Sequence, residues 1–579
     1  MKRDDDFRIR PGKIRSRQNQ RAKPFIAQAL AAAQRAGGRV SRDGKITSGR
    51  GSRFGRGRTA SVRANRLITS RSRGAVIKTR VVRHTVRSAP LAAHLGYLRR
   101  DGVTRDGEKA RMFGPETDDA DVKEFTERCE DDRHHFRFIV SPDDALEMAD
   151  LKSFARDLMS QAEKDLGTKL DWVGVDHWNT EHPHVHIILR GRADDGQDLV
   201  ISRDYIKEGM RNRAQDLITQ ELGPRTEFDI RRTIERQIDS ERWTQLDRQL
   251  VRDASQHGII DLAPAPDQKP DPYLAQKVGR LRKLDSRGLA HQAGPGQWVM
   301  AEQAERTLRE LGERGDIIKR MHRALTERGI ERSTSSYVLT SESLADPIIG
   351  RLIDRGLDDE LRSTAYAVVD GTDGRTHHIK LPTLEAAGDG PVGSIVELRR
   401  FEDAQGRTRV ALAVRSDLDI DAQVKASGAT WIDRQLVARD PVPLGSGGFG
   451  AEVRAAMESR ADHLVEQGLA RRQGQQVVYA RGVLETLRRR EVDAIGEKLA
   501  TETASPFHKS ASGEYVAGVY RQRLMLASGR FAMIDDGLGF RLAPWTPSIE
   551  KHIGQHISGV ARADGGVDWS FGRQRGLGL

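Results

Sequence analysis

Three histidines in one short stretch are the side chains best suited to hold a metal ion: His177, His184 and His186, within the run Asp176-His177-Trp178-Asn179-Thr180-Glu181-His182-Pro183-His184-Val185-His186. From His184 the residues alternate His, Val, His, Ile. Successive side chains of a strand face opposite sides, so His184 and His186 are expected to project together while Val185 and Ile187 enter a core. His177 ends another apolar run, Trp172, Val173 and Val175, and the connection through Pro183 is short enough to fold it back beside the pair. Three neutral imidazoles leave coordination positions open for water or a substrate oxygen, as a catalytic metal requires. A lone histidine is usually a surface or core residue, but three at this spacing with matched strand parity favour a ligand set. His182 falls outside the pattern and reads as solvated, or as an outer or phosphate contact.

The elements that must position these rings follow from the neighbouring sequence. A β-like run (Val76, Ile77, Val81, Val82, Val86) precedes a short helix from Ala89 to Gly102, opened by Pro90 and carrying Tyr97 with Arg99 and Arg100 after it. Residues 134–141 alternate as a strand ended by Pro142. Leu151, Phe154, Ala155, Leu158, Ala162 and Leu166 then recur at helical spacing, with Gly167 as the stop. After the histidine strands come a turn at Gly191 to Gly196, a short strand (Leu199, Val200, Ile201) and a helix to about Leu222. The order predicts an antiparallel sheet with helices on one face, an α+β architecture.

A chain of 579 residues is too long for one core, so several domains are expected. No apolar run approaches the roughly 18 residues needed to cross a bilayer, and the basic N-terminus lacks a secretory apolar stretch, so membrane insertion is not expected and a cytoplasmic location is. The single Cys129 can form no internal disulfide, which fits a reducing compartment. Residues 1–88 hold 25 Lys and Arg against 4 Asp and Glu, a net +21 that leaves −9 for the remainder of a chain carrying +12 overall. The Gly/Arg/Ser stretch containing Arg50, Arg53, Arg56 and Arg58 has too little apolar content to fold and reads as a disordered arm that binds nucleic acid by neutralising phosphates, a solvated tail without a partner being the bland alternative.

Further along, a helix, Gly288-Leu289-Ala290, a turn at Gly294-Pro295-Gly296 and a strand outline a winged helix. The outline returns at Val453 to Leu464, Gly468-Leu469-Ala470 and Val477-Val478-Tyr479. Two copies point to paired DNA-binding folds, against the plainer reading of helix-hairpin units used for packing. Between them, residues 335–415 read as β and predict a small barrel, in which His377-His378 has no convincing ligand set and reads as structural. Trp545 and Trp569 read as ordered packing, with base stacking the minority alternative. The expected division is a basic disordered arm at 1–74, the histidine-bearing domain at 75–225, a helical, winged-helix-like region at 226–334, a β-rich domain at 335–420, and a second winged-helix-like unit with a C-terminal region at 421–579.

The triad, read as His, six residues, His, apolar, His, with the upstream helix bearing Tyr97 and the strand ending at Pro142 between them, resembles the HUH relaxases of conjugative and mobilisable plasmids, in particular the group containing the T-DNA border-cleaving endonuclease. The resemblance covers about residues 75–225. It implies the HUH endonuclease fold and a site- and strand-specific DNA nickase in which Tyr97 attacks a phosphodiester to give a 5′-phosphotyrosyl link, with a divalent ion on His177, His184 and His186. The ion is expected to be Mg²⁺ or Mn²⁺, with Zn²⁺ also suited to imidazole. The implied partners are DNA at a transfer origin, single-stranded at the nick, accessory relaxosome proteins and a type IV coupling protein. The implied location is the bacterial cytoplasm, with export covalently bound to DNA. That group carries an acidic residue two positions after the first histidine, where this chain has Asn179; Asp176 or Glu181 is expected to orient a ligand imidazole instead. The tail resembles an uncharacterised domain that accompanies relaxases on proteobacterial mobile elements.

The chemistry agrees: a tyrosine oxygen conserves the phosphodiester energy for rejoining, and a phenol with a pKa near about 10 needs help from its site. Three other readings start from the same letters. His182-Pro183-His184-Val185-His186 approximates the histidine-triad pattern of nucleotidyl hydrolases, which leaves Tyr97 and the basic arm without a role. A non-catalytic DNA-binding or replication scaffold is the second. A rolling-circle replication initiator, sharing the nicking chemistry, is the third.

Overall fold

The computed structural model describes residues 38–40, 46–48, 56, 71–84, 91–100, 102–178, 180, 182–254, 258–263, 271–339, 347–402, 406, 408–509, 514–562 and 566–570. These divide into two compact units, Met1–Arg309 and Glu310–Leu579. Among the described residues no helix is long and apolar enough to cross a membrane.

In the first unit the strands β1 (Ala75–Arg83), β2 (His134–Pro142), β3 (Trp172–His177) and β4 (His184–Arg190) form a sheet of order β1-β2-β4-β3, antiparallel throughout. Helices α1 (Leu91–Leu98) and α2 (Val122–Arg128) lie between β1 and β2 in the chain, α3 (Leu151–Leu166) between β2 and β3, and α4 (Met210–Leu222) after β4. Asp150 caps α3 by accepting from the backbone amides of Lys152 and Ser153, and Gly167 ends it in the left-handed conformation. One sheet face buries Phe136, Phe138, Val140, Ile187 and Leu189 under Leu151, Phe154, Leu158 and Ile218 of α3 and α4. The opposite face buries Val173, Val175 and Ile188 under Leu91, Leu95, Leu98 and Phe125 of α1 and α2. Helices therefore cover both faces, not the one expected, because β3 and β4 are apolar at both strand parities. Within that second cluster burial pushes the Cys129 thiol up to about 12.

The described parts of the N-terminal arm are a short antiparallel ladder, Gly38–Val40 with Ile46–Ser48, Arg56, which bridges Ile201, and residues 71–74, where, against the expected disorder, Arg73 pairs with Asp144 at 3.0 Å and donates to the Leu222 and Gly223 carbonyls. Disorder elsewhere in the arm concerns residues outside the described set.

The first unit continues with α5 (Glu227–Ile238), α6 (Gln245–Asp253), β5 (Ile259–Asp261), α7 (Leu274–Asp285), the hairpin β6 (Ala290–Gly294) and β7 (Gln297–Met300), and α8 (Ala304–Thr326), which crosses the division. Arg280 of α7 is fully buried. Its Nε and Nη2 donate to the Asp247 carboxylate, both at 2.8 Å, and its remaining donors reach the carbonyls of Ile238, Ser240 and Arg242. All five guanidinium donors are thus used. Asp247 also closes a capping box with Thr244, and the Gln237 side chain accepts from the Leu246 amide.

In the second unit come β8 (Tyr337–Leu339), β9 (Ile349–Asp359), β10 (Thr364–Gly371), β11 (Thr376–Leu381), β12 (Ile395–Glu402) and β13 (Thr408–Ser416). They form an open sheet of order β8-β11-β10-β9-β12-β13. The expected barrel does not close among the described residues. Ile317, Met321 and Leu325 of α8 pack on Ile353 and Val368 of one face, while the other carries Leu352, Val369 and Val396 over Ala387. A sheet whose two faces each take other elements has no inward side left to fill itself. His377 bonds the Asp373 carboxylate and His378 stacks on Tyr366.

The remainder repeats this plan. Helices α9 (Ile420–Lys425), α10 (Trp431–Leu436) and α11 (Gly448–Glu466) precede a hairpin, β14 (Ala470–Gln473) and β15 (Gln476–Tyr479), then α12 (Val483–Thr503). A second sheet follows, built from β16 (Tyr515–Leu526), β17 (Gly529–Asp535), β18 (Phe540–Pro544), β19 (His556–Ala561) and β20 (Val567–Ser570). Arg460, fully buried, donates to Asp433 at 2.8 Å through Nε and Nη2 and to the carbonyls of Val424, Ala426 and Gly428. Asp433 closes a capping box with Thr430, and Gln423 accepts from the Ile432 amide. Each partner of Arg280 thus has a counterpart around Arg460.

The sheets match as closely. The order β18-β17-β16-β19-β20 is that of β11-β10-β9-β12-β13. Each long hairpin has a bulge at the same place, between Leu352 and Asp354 and between Tyr520 and Gln522. A Cβ on Gly350 would lie 2.2 Å from the Asp370 carbonyl oxygen, and one on Gly518 2.4 Å from that of Asp535. Both positions are held to glycine by the same close approach. Trp545 and Trp569 pack against the second sheet's core. Helix, helix, helix, hairpin, long helix and a sheet with the same order of five strands therefore occur twice among the described residues.

Candidate active site

β3 and β4 pair in register with His177 opposite His184 and Val175 opposite His186, so all three rings leave the same sheet face. Ring centroids are 5.5 Å apart for His177 and His184, 4.6 Å for His177 and His186, and 4.9 Å for His184 and His186. Each offers a ring nitrogen, and these nitrogens lie within 4.8 Å of one another. All three are buried.

Two backbone carbonyls fix the rings. His177 Nε2 lies 2.8 Å from the carbonyl of Leu98, the last residue of α1, and His184 Nδ1 lies 2.9 Å from the carbonyl of His182. A carbonyl only accepts, so these nitrogens carry the protons, which leaves the lone pairs on His177 Nδ1 and His184 Nε2. His184 Nε2 and His186 Nε2 stand 3.1 Å apart. Two nitrogens each about 2.0–2.1 Å from a common ion are separated by about 3 Å. The donor set thus fits a divalent cation.

Among the described residues the partners of His177 and His184 are main-chain carbonyls and not Asp176. Asp176 accepts from Trp178 Nε1 at 2.6 Å and turns away from the ligand rings; Glu181 and Asn179 lie outside the described residues. The physical reason is reach: main-chain oxygens at the end of α1 and in the 182–184 turn already meet the imidazoles. His182 contributes its carbonyl. Sequence reasoning had no signal for Leu98, since any residue supplies a carbonyl. It also passed over Gly174, where a Cβ would stand 2.9 Å from Phe113 Cζ and 3.2 Å from the His186 carbonyl oxygen. A glycine inside an apolar strand was the available sign.

Tyr97 is half-buried on α1, one residue before the carbonyl that holds His177, with the Arg100 guanidinium 4.4 Å from its ring centroid. Arg99 follows in the same turn. Arg56 donates to the Gly167 carbonyl and to Asp195, both at 3.0 Å, a structural tie between the arm and the sheet domain. Arg50, Arg53 and Arg58 lie outside the described residues.

On the same sheet face, Arg137 Nε donates to His135 Nε2 at 3.0 Å, and His135 Nδ1 lies 2.7 Å from His84 Nε2. His135 must therefore be the Nδ1–H tautomer, donating to His84. Burial, reinforced by Arg137, lowers its pKa from the ordinary 6.5 to about 3. Below pH 6.5 the unfolded chain takes up a proton that the native ring refuses. The stability from this ring is therefore complete above 6.5 and falls toward pH 3, by up to about 1.4 kcal/mol per pH unit. Urea midpoints at pH 7.5 and pH 5 are expected to differ less in His135→Gln than in the unaltered protein; equal differences would refute the assignment.

Residues 116–222 match the family described as MobA/VirD2-like relaxase, nuclease domain, a span that contains β2, β3, β4 and the histidines. This match supports a relaxase, an enzyme that binds and nicks DNA. No curated protein and no solved structure matches the chain. The family described as protein of unknown function (DUF3363) matches residues 277–408 and 399–578. That span is just over half of the 579 residues, and the chain belongs to this DUF3363 family, with a relaxase-type nuclease segment ahead of the matched region.

Proposed function

We propose that the protein is a site- and strand-specific DNA relaxase with the HUH fold over residues 75–225, which starts conjugative transfer by nicking the transfer origin of a plasmid or integrative element. The observation carrying this reading is the bond from His177 to the Leu98 carbonyl, which couples the helix bearing Tyr97 to the histidine cluster. His177, His184 and His186 would hold a divalent ion, Mg²⁺ or Mn²⁺ with Zn²⁺ also suited to the donors. When bound, the ion supplies Lewis-acid polarisation of the scissile phosphate. The Tyr97 oxygen attacks phosphorus, an O–P bond forms, the bond to the 3′ oxygen breaks, and that strand leaves with a 3′-OH able to reverse the step. Arg100, stacked on the Tyr97 ring, and Arg99 in the same turn supply positive charge suited to the DNA backbone.

The helix-hairpin units at 226–334 and 421–579 are read as winged-helix-like duplex contacts. In the second, exposed Glu458, Asp462 and Glu466 line α11, so its hairpin with Arg471 and Arg472 is the better candidate for touching phosphate. Accessory relaxosome proteins and a type IV coupling protein complete the proposed partners, with the protein acting in the bacterial cytoplasm and leaving it joined to DNA.

The test is incubation with supercoiled plasmid carrying the element's own transfer origin and Mg²⁺ or Mn²⁺. Nicked circles with protein attached at a 5′ end through Tyr97, lost in Tyr97→Phe and under chelation, are expected. Supercoiled DNA left unchanged with both metals would reject the proposal. Cleavage that survives Tyr97→Phe and chelation but fails in His184→Ala would support the histidine-triad hydrolase instead.

A further inference from the structure

The repeat within the chain supplies its own control. Aligning the sheets by their shared order and bulge sets β12–β13 against β19–β20. In the second copy the ladder ends at Ala561 opposite Val567, and the Arg562 amide closes the turn on the Gly566 carbonyl at 2.7 Å. The equivalent rung of the first copy is Arg400 opposite Val410. There the ladder runs on for two more rungs, Phe401 opposite Arg409 and Glu402 opposite Thr408. In the second copy only three residues separate Arg562 from Gly566, the equivalents of Phe401 and Arg409, where the first copy has seven, so the sheet does not require the longer hairpin.

Its chemistry is specific. Phe401 is 52% exposed. Residues directly opposite in an antiparallel ladder share a face, as do residues two apart on one strand, so Arg399, Phe401 and Arg409 stand on one side of the ribbon. Arg399 is ion-paired to Glu397 on that face, and Arg400 lies on the other. Residues 399–411 hold four arginines against two acids, whereas the equivalent 560–568 hold one arginine against two acids. The hairpin of one copy carries an aromatic ring and flanking positive charge that the other lacks.

We infer that this ribbon is a contact for single-stranded DNA, with Phe401 stacking on an unpaired base and Arg399, Arg400 and Arg409 along the backbone. Base–aromatic stacking needs an uncovered base face, which a single strand offers and a duplex offers only if kinked. The net charge of the ribbon is complementary to phosphate. The site lies outside the matched nuclease segment and does not rest on the nicking reading.

The experiment uses full-length protein carrying Tyr97→Phe, so that cleavage plays no part. It is irradiated with an oligodeoxythymidine containing 5-iodouracil, and the adduct is mapped by peptide mass spectrometry. An adduct on Phe401 is expected. It should vanish in Phe401→Ala and in a chain whose residues 401–409 are replaced by the sequence of 562–566, while adducts elsewhere persist and report intact folding. Unlabelled single strand should compete for the Phe401 adduct at roughly tenfold lower concentration than duplex, within the range that one base stack provides. Absence of an adduct within 399–409, or equal competition by duplex, would overturn the inference.

Discussion

His184→Ala and His186→Ala proteins should neither retain a stoichiometric divalent ion nor nick DNA, with the cleavage rate down about 1,000-fold or more. Metal assistance to phosphoryl transfer is worth several kcal/mol, and each 1.36 kcal/mol is a factor of ten. The two rings share one edge of the donor set, with nitrogens 3.1 Å apart, so removing either leaves fewer than three imidazoles. Calorimetric titration with Mn²⁺ and a nicking time course on the same preparations measure both halves. A variant that binds Mn²⁺ one to one and cleaves at the original rate would remove the histidines from the chemistry. Tyr97→Phe separates the roles, since it should keep the ion and lose the covalent adduct.

Arg460→Ala should lower stability by about 3–5 kcal/mol, the usual result of stripping one partner from a buried ion pair. The buried Asp433 carboxylate would keep only the Thr430 contacts, and the carbonyls of Val424, Ala426 and Gly428 would lose their donor. Arg280→Ala should do the same to the first copy. Denaturant unfolding followed by tryptophan fluorescence reads both, Trp431 lying beside the second network and Trp243 beside the first. A shift under about 1 kcal/mol would show the pair to be solvated and worth no more than a surface contact.

The alternation of His184, Val185, His186 and Ile187 made the ligand face legible, because strand parity is a local property of the chain. What holds the rings was not legible. Leu98 and His182 act through main-chain oxygens, and no side-chain pattern encodes which carbonyl will arrive beside an imidazole. Gly288-Leu289-Ala290 and Gly468-Leu469-Ala470 advertised the two hairpins. The larger repeat went unseen because its sheets share positions of burial, bulge and close approach rather than letters: Leu352 and Tyr520, or Ala387 and Ile549, fill one role with different residues. The barrel expected at 335–420 failed for a related reason. Strand patterning shows that both faces are apolar but not whether they meet each other or a helix.

The two arginine networks have an evolutionary corollary. Gln237 and Gln423, and likewise Asp247 and Asp433, stand 186 positions apart. Unequal crossing-over that joined codon 242 to codon 429 would delete one whole period. It would still assemble Gln237 and three carbonyl acceptors from one half with Asp433 and Arg460 from the other. Paralogues with one period or three are therefore a single recombination event away, each with this buried cluster already complete.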